Sequence, residues 1–104
     1  REGLSKSILK KIEASEEKTK NNSRIQVNVL LNYGSRCEIK EAVINMIKNN
    51  TPPEDISEDS ISDHLYTKGI PDPDILIRTG GDHRISNFLL WQLAYTELFI
   101  VNTY

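Results

Sequence analysis

Nine consecutive residues, Arg78-Thr79-Gly80-Gly81-Asp82-His83-Arg84-Ile85-Ser86, bring two guanidiniums, a hydroxyl and a glycine pair directly ahead of a mostly apolar run that ends at Tyr95. A guanidinium keeps its charge at any physiological pH and presents a planar fork of donors that matches phosphate oxygens. The glycine pair lets the backbone approach a ligand closely or adopt positive φ. Ser86 can cap a helix over 87–95, which would add free amides and the positive end of a helix dipole. The pattern suits phosphate or diphosphate, each shielded charge-assisted hydrogen bond contributing about 1.5–3 kcal/mol. The same arginines could instead pair with Asp72, Asp74 or Asp82 as loop-holding salt bridges, and spacing alone leaves both readings open.

The carboxylates divide in the same way. Asp72, Asp74, Asp82 and Glu97 could hold Mg²⁺, which takes a few carboxylates together with water and substrate phosphate oxygens. Asp72 and Asp74 can equally be turn formers beside Pro71 and Pro73. His64 falls on a polar helix face and His83 in the loop, and neither has a second histidine or cysteine at ligand spacing. Trp91 and Phe88 read as core. Cys37 is the single cysteine, so no disulfide frame or cysteine zinc site arises within the chain, which suits a reducing, cytoplasmic setting.

Positioning these groups requires regular elements. Leu4, Ile8, Leu9 and Ile12 share a helical face, predicting an amphipathic helix near 4–20. Ile25, Val27, Val29 and Leu31 alternate, predicting a largely buried strand over 24–32 that ends in the turn Asn32-Tyr33-Gly34. Ser35-Arg36-Cys37-Glu38 fits a capping box opening a helix with Ile39, Ala42, Val43, Met46 and Ile47 on its stripe. Residues 49–54, with Pro52-Pro53, read as a loop. Ser57 can cap a shorter helix to about Tyr66, with Ile61 and Leu65 inward and Gly69 as its stop. The Pro-Asp-Pro-Asp stretch then delivers Ile75-Leu76-Ile77 as a buried strand, and Leu98 to Val101 forms the last one. Strands alternating with helices predict an α/β fold, a parallel sheet flanked by helices and present here as an incomplete part of a larger sheet. In such sheets ligands bind beyond the carboxyl ends of the strands, where Arg78 and the segment after Asn32 lie.

The chain has 104 residues and a formal charge of −2, which argues against nucleic acid as a partner. No apolar run approaches the length needed to span a bilayer, and no signal peptide is visible. The only methionine is Met46, and the sequence stops just after an apolar run, so the expectation is a fragment cut at both ends.

"NYGSR" followed by "EI", and then "PDPDILIRTGGDHRISNFLLWQLAYTEL", closely resembles the C-terminal half of the cis-prenyltransferases, nearest the bacterial members that make undecaprenyl diphosphate, the cell-wall lipid carrier. The resemblance runs from about Arg24 to Tyr104, and from Pro71 to Leu98 it is highly specific. It implies a transferase that condenses isopentenyl diphosphate with an allylic diphosphate such as farnesyl diphosphate, with Mg²⁺ assisting departure of the allylic diphosphate. It also implies a cytoplasmic homodimer whose lipid product brings it to the membrane surface. By resemblance, Arg78, Arg84 and Ser86 bind the diphosphate of isopentenyl diphosphate. Glu97 is linked to Mg²⁺ and to placement of that substrate near the subunit interface, and Asp74 to activity. Asn32, Tyr33 and Arg36 belong to the family's Asn-Tyr-Gly-Gly-Arg segment on the active-site side, with Ser35 in place of its second glycine and no need there for positive φ. Asp82 stands where the family usually has Glu. The family's Asp-Gly-Asn-Gly-Arg loop for the allylic diphosphate is not among these residues. The implied domain is thus the C-terminal part, over 1–104, of a single cis-prenyltransferase domain, inactive alone. A non-catalytic phosphate-binding or partner subunit of the same fold is the alternative.

Overall fold

The computed structural model describes residues 3–104 and divides between Asn32 and Tyr33 into two compact units. In the first, α1 (Lys6–Thr19) forms where the apolar spacing predicts a helix. Ser5 caps it, its hydroxyl accepting from the Ile8 amide at 3.3 Å, and Lys18 lies favourably in the last turn. None of its residues is buried.

The strand expected over 24–32 is not formed. Ile25, Val27 and Val29 alternate as predicted but are exposed, and no ladder pairs this stretch among the described residues. Alternation says which face a strand would bury; the strand itself exists only through hydrogen bonds to a neighbour. The unit closes at Asn32, whose φ of 51° is left-handed.

The second unit opens with α2 (Ser35–Lys48). The predicted capping box is not the one used. Gly34 is the N-cap and offers no side chain, while Ser35 and Glu38 turn inward and are completely buried. Ser35 is helical, in keeping with a position that needs no positive φ. The buried stripe is Ser35, Glu38, Ala42 and Met46, rotated from the apolar one read in the sequence, which leaves Val43 and Ile47 exposed. Apolar side chains marked the helix, but two buried polar residues set its rotation.

A 3-10 turn, Pro53–Asp55, interrupts the expected loop. Ser57 caps α3 (Glu58–Ser62) through a reciprocal pair with Ser60, at 3.1 and 2.7 Å. This helix ends at Ser62, short of Tyr66, and continues as turns to Gly69 at φ 78°, with Leu65 buried.

Strands β1 (Ile75–Arg78) and β2 (Glu97–Ile100) pair in parallel, Ile75 opposite Glu97 and Arg78 opposite Ile100. The α/β class is as expected, although among the described residues the sheet has two strands, and Ile75 and Ile77 are exposed rather than buried. The helix predicted over 87–95 is replaced by successive turns, because Ser86, Asn87 and Leu89 adopt φ of 51°, 61° and 44°. Left-handed residues cannot extend a right-handed helix. Leu89 and Leu93 nonetheless join Ala42, Met46 and Leu65 in the core, with Gln92 buried among them.

Candidate functional site

Arg78 ends β1 and its side chain turns back over the following loop. One terminal nitrogen donates to the Arg84 carbonyl and, at 3.2 Å, to the Ser86 hydroxyl; the other meets Asp82 Oδ2 at 3.3 Å. Arg84 donates to that same Asp82 oxygen at 2.9 Å. The structure therefore gathers Arg78, Arg84, Ser86 and Asp82 into one cluster. Two fixed positive charges share one carboxylate, so one unit of positive charge is left over. Ser86 accepts from Arg78 and keeps its own O–H to donate. The side chain of Arg78 is 27% exposed, those of Asp82 and Arg84 48% and 69%, so the cluster opens to solvent. An exposed pair of this kind holds its geometry weakly, and an incoming anion could displace Asp82.

The glycine pair shapes the loop. Gly80 and Gly81 have φ of 88° and 75°, and their amides donate to the carbonyls of Thr103 and Val101 at 3.1 and 3.0 Å. A side chain on Gly81 would stand 2.8 Å from Asn102 Oδ1. Both residues serve backbone conformation and close packing against the segment after β2. Beside the arginines a cavity of about 50 Å³ is walled by Leu76, Leu98, Phe99 and Ile100, so the charged loop borders an apolar recess.

Ser86 does not stand at a helix start. With no helix between β1 and β2, the helix dipole expected there is absent, and the charge at the cluster comes from its side chains.

Asp74 and Glu97 are not brought to this cluster. They sit at the opposite end of the sheet, joined by the Glu97 amide donating to the Asp74 carbonyl at 3.1 Å. Three strand residues, about 10 Å, separate that end from Arg78. Among the described residues no group of three or more His, Cys, Asp or Glu could hold a metal ion. The described residues do not by themselves fit a Mg²⁺ site.

Tyr33 and Arg36 lie at the opening of α2. The Tyr33 ring packs edge-on against Phe88 and Tyr66, with centroids 5.9 and 6.4 Å away, and its hydroxyl donates to Glu38 Oε2. Burial, then the bond to Glu38, pushes the Tyr33 phenol up to about 12. The backbone amide of Arg36 donates to Asn87 Oδ1 at 2.9 Å. Asn32 closes the first unit. His64 Nδ1 lies 2.7 Å from the Ser60 carbonyl, and Trp91 donates to Ser62 at 3.0 Å, as structural side chains do.

Two residues that organise this region, Gln92 and Asn87, escaped the sequence reading, and a third, Glu38, was read there only as half of a capping box. Glu38 accepts from Tyr33, from the Tyr66 amide at 2.9 Å and from Gln92 Nε2 at 3.2 and 3.3 Å. Its position four and eight residues before Ala42 and Met46 was the available signal, because that spacing puts it on their face. Asn87 had no such signal; its partners Arg36 and Ser35 lie 51 and 52 residues away.

Comparison with known proteins gives this geometry a family. The model of the prenyltransferase family described as "Putative undecaprenyl diphosphate synthase" matches residues 1–104. An isoprenyl transferase of Fusobacterium nucleatum is 53% identical over 91% of this chain and 40% of its own. A tritrans,polycis-undecaprenyl-diphosphate synthase (geranylgeranyl-diphosphate specific) of Thermococcus kodakarensis is 46% identical over 97% of this chain and 40% of its own. In structure, lavandulyl diphosphate synthase of Lavandula x intermedia, solved with dimethylallyl diphosphate, superposes with a TM-score of 0.86 at 32% identity, over 97% of this chain and 45% of that one. The chain thus spans about two fifths of the length of the relatives it matches. By sequence and by fold, it belongs to the cis-prenyltransferase family.

Proposed function

We propose that these residues form the isopentenyl diphosphate side of a prenyl-chain-elongating enzyme, as the C-terminal part of a single cis-prenyltransferase domain. The observation that carries this reading is the convergence of Arg78 and Arg84 on one half-exposed carboxylate, Asp82, with the Ser86 hydroxyl held beside them by Arg78. In this reading the substrate's diphosphate takes the place of Asp82 between the guanidiniums and receives the Ser86 proton as a hydrogen bond. Its five-carbon portion lies toward the apolar recess formed by Leu76, Leu98 and Phe99. Holding the diphosphate fixes where the terminal double bond, the nucleophile, meets an allylic carbon.

The product of this reading is a long cis-polyprenyl diphosphate such as undecaprenyl diphosphate, made in the cytoplasm from farnesyl diphosphate. The intact protein is a homodimer that meets the membrane surface only through its lipid product. Among the described residues no helix is long and apolar enough to cross a membrane. Asp74 and Glu97, at the far end of the sheet, contribute to activity, and Glu97 does so at the subunit interface in connection with Mg²⁺. Asn32, Tyr33 and Arg36 line the active-site side.

Steady-state kinetics on the intact enzyme tests the assignment. Arg84→Ala raises KM for isopentenyl diphosphate about tenfold or more, the size of a lost charge-assisted bond, and changes KM for farnesyl diphosphate far less. Equal loss for both substrates would remove the assignment. The 104-residue chain alone, given both substrates and Mg²⁺, makes no long product in this reading.

A further inference from the structure

The first amides of an α-helix lack intrahelical acceptors, and a side chain from the preceding turn usually supplies one. In α2 it does not: Gly34 has no side chain and Ser35 is turned inward. The acceptor arrives from far along the sequence. Asn87 accepts from the Ser35 amide through its carbonyl at 2.9 Å, and from the Arg36 amide through Oδ1 at 2.9 Å. Ser35 answers, its buried hydroxyl accepting from the Leu90 amide at 2.9 Å. Three hydrogen bonds thus clasp the start of α2 to the turn that contains Ser86.

That turn is not held by local preference. Ser86 and Asn87 are both left-handed, a conformation that costs a residue with a side chain about 1 kcal/mol or more and persists only where its surroundings impose it. Asn87 is suited to the task, since asparagine tolerates this region better than other residues with side chains. Gly34 is part of the same fit: a Cβ there would lie 2.9 Å from Asn87 Nδ2, although its φ of −147° is open to any residue.

We infer that Asn87 is a positioning residue for the diphosphate grip: by capping α2 from a distance, it holds the left-handed turn that aims the Ser86 hydroxyl alongside Arg78. The inference rests on the isopentenyl diphosphate reading of the cluster and adds to it a residue outside the cluster. Gly34 is the complementary half of the clasp.

The test uses the intact enzyme and four variants. Asn87→Gly keeps the left-handed backbone and the carbonyl but removes Oδ1, so strain does not confuse the result. It raises KM for isopentenyl diphosphate about fivefold, the scale of a lost cap, with KM for farnesyl diphosphate and the far-ultraviolet circular dichroism unchanged. Gly34→Ala moves the same constant in the same direction. Asn87→Asp, which retains an oxygen acceptor for the Arg36 amide, restores it to within about twofold. Arg84→Ala is the reference. If it raises the constant and Asn87→Gly does not, or if Asn87→Gly impairs both substrates equally, the positioning role is wrong while the substrate reading stands. If Arg84→Ala has no effect, the substrate reading itself fails and the inference with it.

Discussion

Glu38 and Asp82 are both carboxylates that gather several donors in the second unit, yet they do so on opposite terms: Glu38 draws on residues as far as 54 positions away, Asp82 on neighbours within four. Glu38 is fully buried and has no cationic partner among the described residues; its oxygens are met by a phenol, a backbone amide and a carboxamide. Asp82 is half exposed and lies between two guanidiniums. A buried charge matched by neutral donors is costly to disturb, because every donor left behind stays buried without water. An exposed charge between mobile cations is exchangeable, since solvent or another anion can replace it. The first arrangement belongs to a scaffold and the second to a binding site.

The contrast is open to direct attack. The largest effect is expected at Glu38: Glu38→Ala lowers stability by about 2–4 kcal/mol, measured by urea unfolding, because the Tyr33 hydroxyl and the Tyr66 amide lose their acceptor and Gln92 keeps only Thr67. Equal losses from Glu38→Ala and Asp82→Ala would erase the distinction. Next is Tyr33. Its proton is held more tightly in the folded state, with the phenol at about 12 against an ordinary value of 10. The corresponding stability is complete below about pH 10 and is lost as pH rises toward 12. Tyr33→Phe removes that alkaline slope and lowers stability at neutral pH by about 1 kcal/mol. A slope that survives the substitution would show that another group produces it. The smallest effect belongs to Asp82, where Asp82→Asn changes stability by less than about 1 kcal/mol and the difference fades in 1 M salt.

How much was legible depended on how local the cause was. Ser57 caps its helix as read, and Ser5 caps α1 in the same way, since a hydroxyl and an amide three residues apart meet within one turn. Gly69, Gly80 and Gly81 take positive φ at the predicted breaks. Arg78 falls at a strand end, and Arg84 and Ser86 are close enough in sequence to reach it. Three expectations failed where partners are remote. The alternation from Ile25 to Leu31 names a face but supplies no neighbouring strand. The apolar run after Ser86 has helical composition, yet its polar groups bond to α2 and the helix gives way to left-handed turns. Ser35-Arg36-Cys37-Glu38 has the spelling of a capping box, but Ser35 and Glu38 found better partners in the interior.

By itself, the sequence determined the α/β class, the two strands, the helix stripes in outline, and a cationic loop whose residue types suit a diphosphate. Those properties follow from periodicity, from backbone restrictions at proline and glycine, and from side-chain charge, all of which act over a few residues. Only the tertiary structure decided which face of α2 is buried, that Asp82 binds both arginines, that Asp74 and Glu97 stand at the other end of the sheet, and that Asn87 caps a helix 51 residues earlier. A hydrogen bond is indifferent to sequence distance, and the chain's local preferences yielded wherever a remote partner satisfied a buried polar group better.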